Sequence, residues 1–366
     1  MIDPPPRAVR VAVIGGGQAG LAAGYYLRRA GFEPHRDYAI LDANQRPGGA
    51  WQHGWESLRL FSPSEYSSLP GWPMPAWTEG FPPVDHVVRY LTRYEERYHL
   101  PVHHGVRVTA MRRETPGGHG FLVDTDASGW HADAVISATG TWDRPFWPAY
   151  PGSRSFRGRQ LHTAGYRSPE PFRGLRVIVV GGGNSAAQLL AEVSTVAANT
   201  TWVTPRPPRF LPDDVDGRVL FDVASARSAA LAAGRGDQGG VAALGDIVMI
   251  PTVKDARDRG VLTARPLFRS LTANGVAWAD GTVEPADTII WCTGFRPALN
   301  HLAPLHLPRT SGHLDMQGTR AAGEPRLHLL GYGDWTGQAS ATLIGVGRTA
   351  RAAVHDLTES LAATVG

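Results

Sequence analysis

A glycine-rich loop that occurs twice, each time between an apolar strand and a helix, constrains the fold more than any other feature of this chain. Both copies have the spacing G-x-G-x-x-[G/A], and their fixed positions are Gly15, Gly17 and Gly20 in the first copy and Gly181, Gly183 and Ala186 in the second. The first two glycines allow a tight turn and a close backbone approach, and the small third residue lets the helix pack on the strand. Each loop aims the N–H groups of a helix start at a phosphate, so we predict two dinucleotide-binding sites. Further candidates at the helix starts are Gln18, Asn184 and Ser185.

A second repeated pattern supports this organisation. The segments DAVISATG, from Asp133, and DTIIWCTG, from Asp287, each indicate a buried strand that is followed by Thr-Gly. The candidate cofactor contacts at these strand ends are Thr139, Gly140, Thr293 and Gly294. The simplest arrangement inserts the second unit into the first. The predicted fold class is therefore α/β, with two Rossmann-like dinucleotide-binding domains. We place the first domain at residues 1–150 and 300–366 and the inserted domain at residues 151–299.

The two units differ at the end of their second strand. In the first unit YAILD ends in Asp42, about twenty residues beyond the helix start, where a carboxylate binds an adenosine ribose and repels a 2′-phosphate. In the second unit TTWVT carries no acid and is followed by Arg206 and Arg209, whose guanidinium groups suit a phosphate. We therefore expect FAD in the first unit and NADPH in the second, with NADH kept as an alternative donor. Arg206 is the favoured phosphate contact, and a solvated surface arginine is the alternative interpretation.

The residue composition excludes several classes of function. Cys292 is the only cysteine, so the chain has neither the cysteine pair of a disulfide reductase nor a cysteine zinc site. The formal net charge is +3 without any long basic run, which argues against a nucleic-acid partner. The histidines show no metal-ligand spacing, so no metal is expected. The uncharged stretch 11–27 contains three consecutive glycines and does not indicate a membrane span, so we expect a cytoplasmic protein without a membrane partner.

A motif just before the second glycine loop suggests a family. The segment FRGRQLHTAGY fits the pattern F-x-G-x-x-x-H-x-x-x-Y, with fixed positions Phe156, Gly158, His162 and Tyr166. This resembles the identifying motif of class B flavin-dependent monooxygenases in its flavin-containing monooxygenase version. The segments LRLFSPSEYSSLPGWPMP and TLIGVGR are similar to the short bacterial members, some of which are associated with arsenic-resistance operons. For His162, a structural role and a functional role both remain open.

Other segments carry the same resemblance along nearly the whole chain. RPGGAW resembles the family loop that lies along FAD, SATGTW resembles the turn near the cofactor, and WCTGF resembles its counterpart at the second domain junction. LLGYGDW resembles the Gly-Asp element, in which Asp334 would contact the ribityl chain of the flavin. These segments make Gly49, Trp51 and Asp334 candidates for contact with FAD, and Gln52 and Val108 are two further candidates for binding a cofactor.

One position departs from the family pattern. Longer members place an asparagine beside the flavin, whereas SLRLFSP in this chain has Phe61 at that place. Phenylalanine cannot hydrogen-bond the nicotinamide amide or an oxygen adduct of the flavin. We therefore take Phe61 as the candidate catalytic position and expect more peroxide release than in the longer enzymes. A core residue without a catalytic role is the alternative.

The resemblance implies NADPH-dependent oxygenation of a small organic molecule by O2. NADPH would reduce FAD, and a flavin C4a-(hydro)peroxide would transfer oxygen to a sulfide or an amine, or to a ketone by Baeyer–Villiger oxidation. Two alternatives remain, a reductase that passes electrons to a small acceptor or a partner protein, and a redox sensor that binds FAD. The resemblance favours a homodimer. Residues 63–83 are expected to cap the FAD domain, with a substrate entrance as the alternative, and residues 229–245 are expected to form a mobile loop.

Overall fold

A computed structural model describes residues 7–115, 120–219, 221–223, 226 and 246–363. Its strands are β1 (Arg7–Ile14), β2 (Tyr38–Asp42), β3 (Val102–His104), β4 (Val108–Arg113), β5 (Phe121–Thr125), β6 (Trp130–Ser137), β7 (Arg159–His162), β8 (Arg176–Val180), β9 (Asn199–Val203), β10 (Ala264–Arg265), β11 (Ser270–Thr272), β12 (Gly275–Ala277), β13 (Val283–Pro285), β14 (Thr288–Trp291), β15 (Arg309–Thr310), β16 (His313–Leu314), β17 (Met316–Gln317), β18 (Arg320–Ala321) and β19 (Glu324–Leu329). The α-helices with described bounds are α1 (Gln18–Arg29), α2 (Val84–Arg97), α3 (Asn184–Val193), α4 (Pro251–Asp258) and α5 (Val346–Ala362). The expected loop 229–245 lies outside the described residues.

The chain divides into two compact units. The first comprises Met1–His53, Pro63–Asp143 and Pro297–Gly366, and the second comprises Gly54–Ser62 and Arg144–Arg296. One unit is therefore inserted into the other, as the repeated loops predict. The sequence-based boundaries place residues 54–62 in the first domain, whereas the structure groups them with the second unit.

The first unit is built on a largely parallel sheet. Its parallel strands stand in the order β3-β2-β1-β6-β19, while β18 and β17 continue antiparallel beyond β19 and the β4–β5 hairpin joins β6. All five residues of β2 are buried, as expected for a parallel strand covered on both faces. Helix α1 packs against β1 and α5. The core of this unit includes the aliphatic side chains of β1 and β6.

The second unit repeats the scheme with a smaller sheet. Five parallel strands stand in the order β10-β9-β8-β14-β7, and β11, β12 and β13 form a separate antiparallel sheet. Helix α3 packs against β8 and α4. Two apolar clusters form the core, and they include the large aromatic side chains Trp55, Tyr166, Trp202, Phe268 and Trp291.

In each unit the register brings the carboxyl ends of the strands to one edge. Ile14 of β1 lies beside Leu41 of β2 and Ser137 of β6. In the second unit Val180 of β8 lies beside Val203 and Trp291. Ligands of open α/β sheets bind outside this edge, so both glycine loops follow strands that end where a dinucleotide would bind. The α/β class with two dinucleotide-binding domains is confirmed. No helix within the described residues is long and apolar enough to cross a bilayer.

Candidate functional site

The first glycine loop connects β1 to α1 and leaves no room for a side chain at Gly15 or Gly20. Gly15 has a φ of +106°, and a Cβ there would lie 2.5 Å from the carbonyl oxygen of Ala138. A Cβ at Gly20 would lie 1.8 Å from the carbonyl oxygen of Gly15, so the third glycine lets α1 pack on the loop. No side chain caps the N-terminus of α1 at Gly17. The amide groups at this helix start suit an anion such as a pyrophosphate.

Asp42 lies beside this loop, and one of its carboxylate oxygens accepts no hydrogen bond. Its side chain is buried, and its Oδ1 accepts a hydrogen bond from the side-chain amide of Asn44 at 3.1 Å. Its Oδ2 has no hydrogen-bond partner among the described residues. A Cβ at Gly16 would lie 2.9 Å from Oδ2, so only glycine leaves that atom in place. A buried carboxylate oxygen without a donor is a fitting acceptor for a ribose hydroxyl.

Gln18 joins the first glycine loop to the RPGGAW loop and to the segment that contains Ala341. Its Oε1 accepts a hydrogen bond from the indole N–H of Trp51 at 2.9 Å, and its Nε2 donates to the carbonyl of Ala341 at 2.7 Å. Gly49 has a φ of +54°, and a Cβ there would lie 2.6 Å from the Cα of Gly17. The RPGGAW loop therefore packs on the glycine loop, and the side chain of Gln52 closes it by donating to the carbonyl of Gly49.

A buried polar cluster holds the turn after β6. The hydroxyl of Tyr332 lies 2.7 Å from Oγ1 of Thr139 and 3.1 Å from Oγ of Ser137, and it accepts a hydrogen bond from the N–H of Thr139. Ser137 also contacts Nε2 of His301 at 3.1 Å, and burial lowers the pKa of His301 to about 4. Gly140 has a φ of +63°, and a Cβ there would meet no described atom within 4 Å, so its outer face is open.

The remaining candidates of the first unit lie near these loops. Asp334 is exposed, and its Oδ1 lies 3.4 Å from the N–H of Ala339. Within the same turn Oε1 of Gln338 is buried without a hydrogen-bond partner among the described residues. A Cβ at Gly331 would lie 2.9 Å from Cβ of Ala19, which places this turn against the start of α1. Val108 is half-buried and packs against the core of this unit.

The second glycine loop is built in the same way as the first, and it has one additional hydrogen bond from a tryptophan side chain. Gly181 has a φ of +143°, and a Cβ there would lie 2.2 Å from the carbonyl oxygen of Cys292. The buried indole of Trp202 donates to the carbonyl of Gly181 at 2.7 Å. A Cβ at Gly183 would meet no described atom within 4 Å, and no side chain caps α3 there. This helix start is therefore open to an anion in the same way as the first.

The two polar candidates at the start of α3 differ in their contacts. Asn184 is used within the protein, since its Oδ1 accepts from the N–H of Val248 at 2.8 Å and its Nδ2 donates to the carbonyl of Asp246. Ser185 is half-buried, and its hydroxyl has no hydrogen-bond partner in the described part of the chain. Ser185 is thus the freer of the two to contact a cofactor.

The two arginines after β9 differ in whether they form an ion pair. Arg209 makes a two-point ion pair with Asp246, at 2.7 Å and 2.9 Å, and this pairing lowers the pKa of Asp246. Arg206 is exposed, and its guanidinium makes no hydrogen bond or ion pair with any described residue. Of the two cations, Arg206 is the one whose donors remain available for a phosphate.

The four motif positions before the second loop have structural contacts. Nδ1 of His162 accepts from the N–H of Ala164, so Nε2 carries the proton and donates to the carbonyl of Gly294 at 3.0 Å. Burial lowers the pKa of His162, consistent with a neutral ring. Phe156 lies in the core, and a Cβ at Gly158 would meet its ring at 2.4 Å. These contacts favour the structural role for His162.

The turn after β14 is held by hydrogen bonds to His162 and Phe146. Besides accepting from His162, the carbonyl of Gly294 accepts a hydrogen bond from the N–H of Phe146 at 2.9 Å, and the hydroxyl of Thr293 donates to the carbonyl of Phe146. Gly294 has a φ of +77°. Thr293 and Gly294 therefore hold the chain that enters the second unit, and their assignment to a cofactor stays a prediction.

The segment that carries Phe61 is fixed to the second unit. Glu192 of α3 accepts hydrogen bonds from the hydroxyls of Ser57 and Tyr166, the latter at 2.9 Å. Trp55 packs in the core of this unit, and the carbonyl of Phe61 accepts from the N–H of Gly217 at 2.7 Å. The ring of Phe61 is half-buried. Its catalytic role stays a prediction.

Four residues that shape these sites were not identified from the sequence, which are His104, Trp202, Tyr332 and Gln338. Tyr332 lies within LLGYGDW and Gln338 lies three residues after it. The family resemblance that identifies Asp334 could therefore have pointed to both residues. Trp202 stands within TTWVT, a strand that the second dinucleotide-binding unit already requires. No sequence pattern pointed to His104, because the residue it contacts, Asp42, lies on a different strand, β2.

Comparisons with known proteins agree with this geometry. A family model described as pyridine nucleotide-disulphide oxidoreductase matches residues 12–220. The solved structure of a flavin-containing monooxygenase from Stenotrophomonas maltophilia is 50% identical, with a TM-score of 0.85 over 97% of this chain and 99% of that chain. An uncharacterised CzcO-like oxidoreductase of Geobacillus kaustophilus is 28% identical over 95% of this chain and 98% of its own length. A Baeyer–Villiger monooxygenase of Streptomyces coelicolor is 30% identical over 56% of this chain and 40% of its own length.

Proposed function

Because the chain belongs to the pyridine nucleotide-disulphide oxidoreductase family, and within it to the flavin-containing monooxygenases, we propose that it uses NADPH and O2 to oxygenate small organic molecules. The chain is an oxidoreductase of a flavin-dependent family that uses a nicotinamide cofactor. The placement of each cofactor, the preference for NADPH and the substrate class are the proposal. Disulfide chemistry of the kind in the family's description is not proposed, because Cys292 is the only cysteine.

The first unit suits FAD. The open start of α1 would bind the pyrophosphate, and the unused Oδ2 of Asp42 would accept from the adenosine ribose. The RPGGAW loop, which Gln18 holds through Trp51, would border the cofactor. When bound, FAD would supply the hydride-accepting and oxygen-activating chemistry expected from the resemblance.

The second unit suits NADPH. The start of α3 at Gly183 would bind the pyrophosphate, with Ser185 as a further donor. Arg206 lies three residues beyond the end of the second strand, whereas Asp42 is the last residue of the second strand in the first unit, and the charge of Arg206 would attract a 2′-phosphate. The single observation that carries the proposal is a contrast within the described residues: a buried carboxylate oxygen that accepts no hydrogen bond in one unit, and an exposed arginine that makes no hydrogen bond or ion pair in the other.

The substrate class follows from the chemistry and from the relatives. An electrophilic oxygen donor reacts with soft nucleophiles, so we propose organic sulfides and amines as substrates. The similarity to a Baeyer–Villiger monooxygenase adds ketones as a second class. The catalytic role of Phe61, a homodimer and a cytoplasmic location stay predictions of the sequence.

The test is the fate of labelled oxygen. Protein loaded with FAD would be mixed with NADPH, isotopically labelled O2 and thioanisole, benzylamine or cyclohexanone, with catalase present to remove free peroxide. We expect one labelled atom in the sulfoxide, in the oxidised amine or in the lactone. A parallel single-turnover absorbance trace of NADPH-reduced protein mixed with O2 should show a transient species that decays faster with sulfide.

Two results would contradict the proposal. Label that appears only in water or peroxide, together with reduction of an added quinone, would identify the chain as the alternative reductase. Binding of FAD without steady-state oxidation of NADPH would instead identify the redox sensor.

A further inference from the structure

His104 stands between two carboxylates at the edge of the first unit's sheet. The register of β2 and β3 pairs it directly with Asp42. Its Nδ1 lies 3.5 Å from Oδ2 of Asp42, and its Nε2 lies 3.0 Å and 3.3 Å from the two oxygens of Glu95 on α2. The first distance is long for a hydrogen bond, which leaves Oδ2 able to accept one from a ligand.

The surroundings of His104 favour its charged form. Contacts with Asp42 and Glu95 raise the pKa of His104 to about 9, against the opposing effect of burial. The adjacent His103 is the other titratable group close to it, and burial lowers the pKa of His103. His104 is therefore an imidazolium at neutral pH, and its charge offsets one of the two carboxylates around it.

We propose that His104 is a positioning residue for FAD binding, which holds the Asp42 carboxylate toward the adenosine ribose and offsets its charge. This inference rests on the proposed placement of FAD in the first unit. With a neutral His104, Asp42 and Glu95 would form a cluster of charge −2 beside a site for an anionic pyrophosphate. Ribose binding would also remove the remaining water from an Asp42 carboxylate that has lost its counter-ion, which weakens binding.

The first test is the pH dependence of FAD affinity. FAD would be removed from the purified protein and rebound between pH 6.5 and 9.5, with the dissociation constant followed by quenching of flavin fluorescence. The wild-type affinity should be level to about pH 8 and should fall above it, as His104 loses its proton. His104→Gln is similar in size but loses the charge and one of the two N–H donors, so it should bind FAD about tenfold more weakly at pH 7, with no break in the pH profile.

Two further variants separate positioning from a merely structural role. Glu95→Gln removes the outer carboxylate, which lowers the pKa of His104 and should move the break in the FAD affinity profile toward neutral pH. His103→Gln is the matched control, since the His103 ring packs against Trp130 at 5.0 Å and has no contact with Asp42. It should keep the wild-type break.

The outcomes distinguish this inference from the proposed function. Failure of the wild-type protein to rebind FAD would overturn both. Binding with the same pH profile in wild type and Glu95→Gln, or an unchanged affinity in His104→Gln, would overturn the role of His104 alone. If His104→Gln does not fold, the shift of the break in Glu95→Gln decides the question.

Discussion

Replacing Arg206 by glutamine should abolish most of the preference for NADPH over NADH. Arg209 is already bound to Asp246 at two points, whereas Arg206 makes no hydrogen bond or ion pair with a described residue and interacts with Asp246 only at longer range. A hydrogen bond to a charged group contributes about 1.5–3 kcal/mol. Because Arg206 is exposed, the low end applies, and about 1.5 kcal/mol corresponds to about a tenfold change in kcat/KM.

The assay compares the two nicotinamide cofactors in the same preparation. We expect kcat/KM for NADPH to fall about tenfold in Arg206→Gln and that for NADH to stay within about twofold, since NADH lacks the 2′-phosphate. The difference should shrink at high ionic strength, which screens an exposed charge. The double variant Arg209→Gln with Asp246→Asn is the matched control, because it removes the ion pair without leaving a free carboxylate near Arg206, and it should affect both cofactors alike.

One result would refute the reasoning directly. If Arg206→Gln leaves the ratio of the two kcat/KM values unchanged, Arg206 is only a solvated surface residue. If the double variant Arg209→Gln with Asp246→Asn lowers that ratio more than Arg206→Gln does, the pair with Asp246 opens on binding and Arg209 is the phosphate contact.

Three further predictions concern the first unit. Gly16→Ala would place a Cβ 2.9 Å from Oδ2 of Asp42 and should weaken FAD binding in a fluorescence titration, while Gly183→Ala, which meets no described atom within 4 Å, should leave FAD binding unchanged. Tyr332→Phe removes a buried hydroxyl that contacts Oγ of Ser137 and both the N–H and Oγ1 of Thr139. It should lower the free energy of unfolding by about 1–3 kcal/mol in a denaturant titration. A loss too small to measure would mean that water replaces the hydroxyl. The pKa of His301 is about 4 in the folded protein and about 6.5 when unfolded, so its contribution to stability is complete above pH 6.5 and is lost as the pH falls toward 4. Across that range His301→Gln should make the slope of unfolding free energy against pH shallower, by up to about 1.4 kcal/mol per pH unit, and an unchanged slope would count against a buried neutral ring.

The sequence was informative wherever a site depends on neighbouring residues along the chain. The glycine loops, the Thr-Gly turns and the strand ending in Asp42 are local patterns, because each follows from one strand and the turn after it. The motif around His162 is visible in the sequence, but the two hydrogen bonds of its ring, which favour a structural role, required coordinates.

What could not be predicted depends on pairings between distant segments. His104 meets Asp42 only through the register of β2 and β3, and no sequence spacing encodes that register. The segment around Phe61 belongs to the second unit because Glu192, far along the chain, accepts a hydrogen bond from Ser57. A boundary drawn from the repeated loops and strands had no access to that contact.

The discontinuous second unit limits how this enzyme can be recombined with its relatives. A chimera that exchanges only Arg144–Arg296 would take α3 from a relative but keep the native Gly54–Ser62. The hydrogen bond between Ser57 and Glu192 would then join segments from two different proteins. To transfer cofactor preference by exchanging this unit, both of its segments must be replaced, which creates four junctions, at 53/54, 62/63, 143/144 and 296/297. A library that respects these four junctions should yield more folded protein than one that cuts only at the ends of the longer segment.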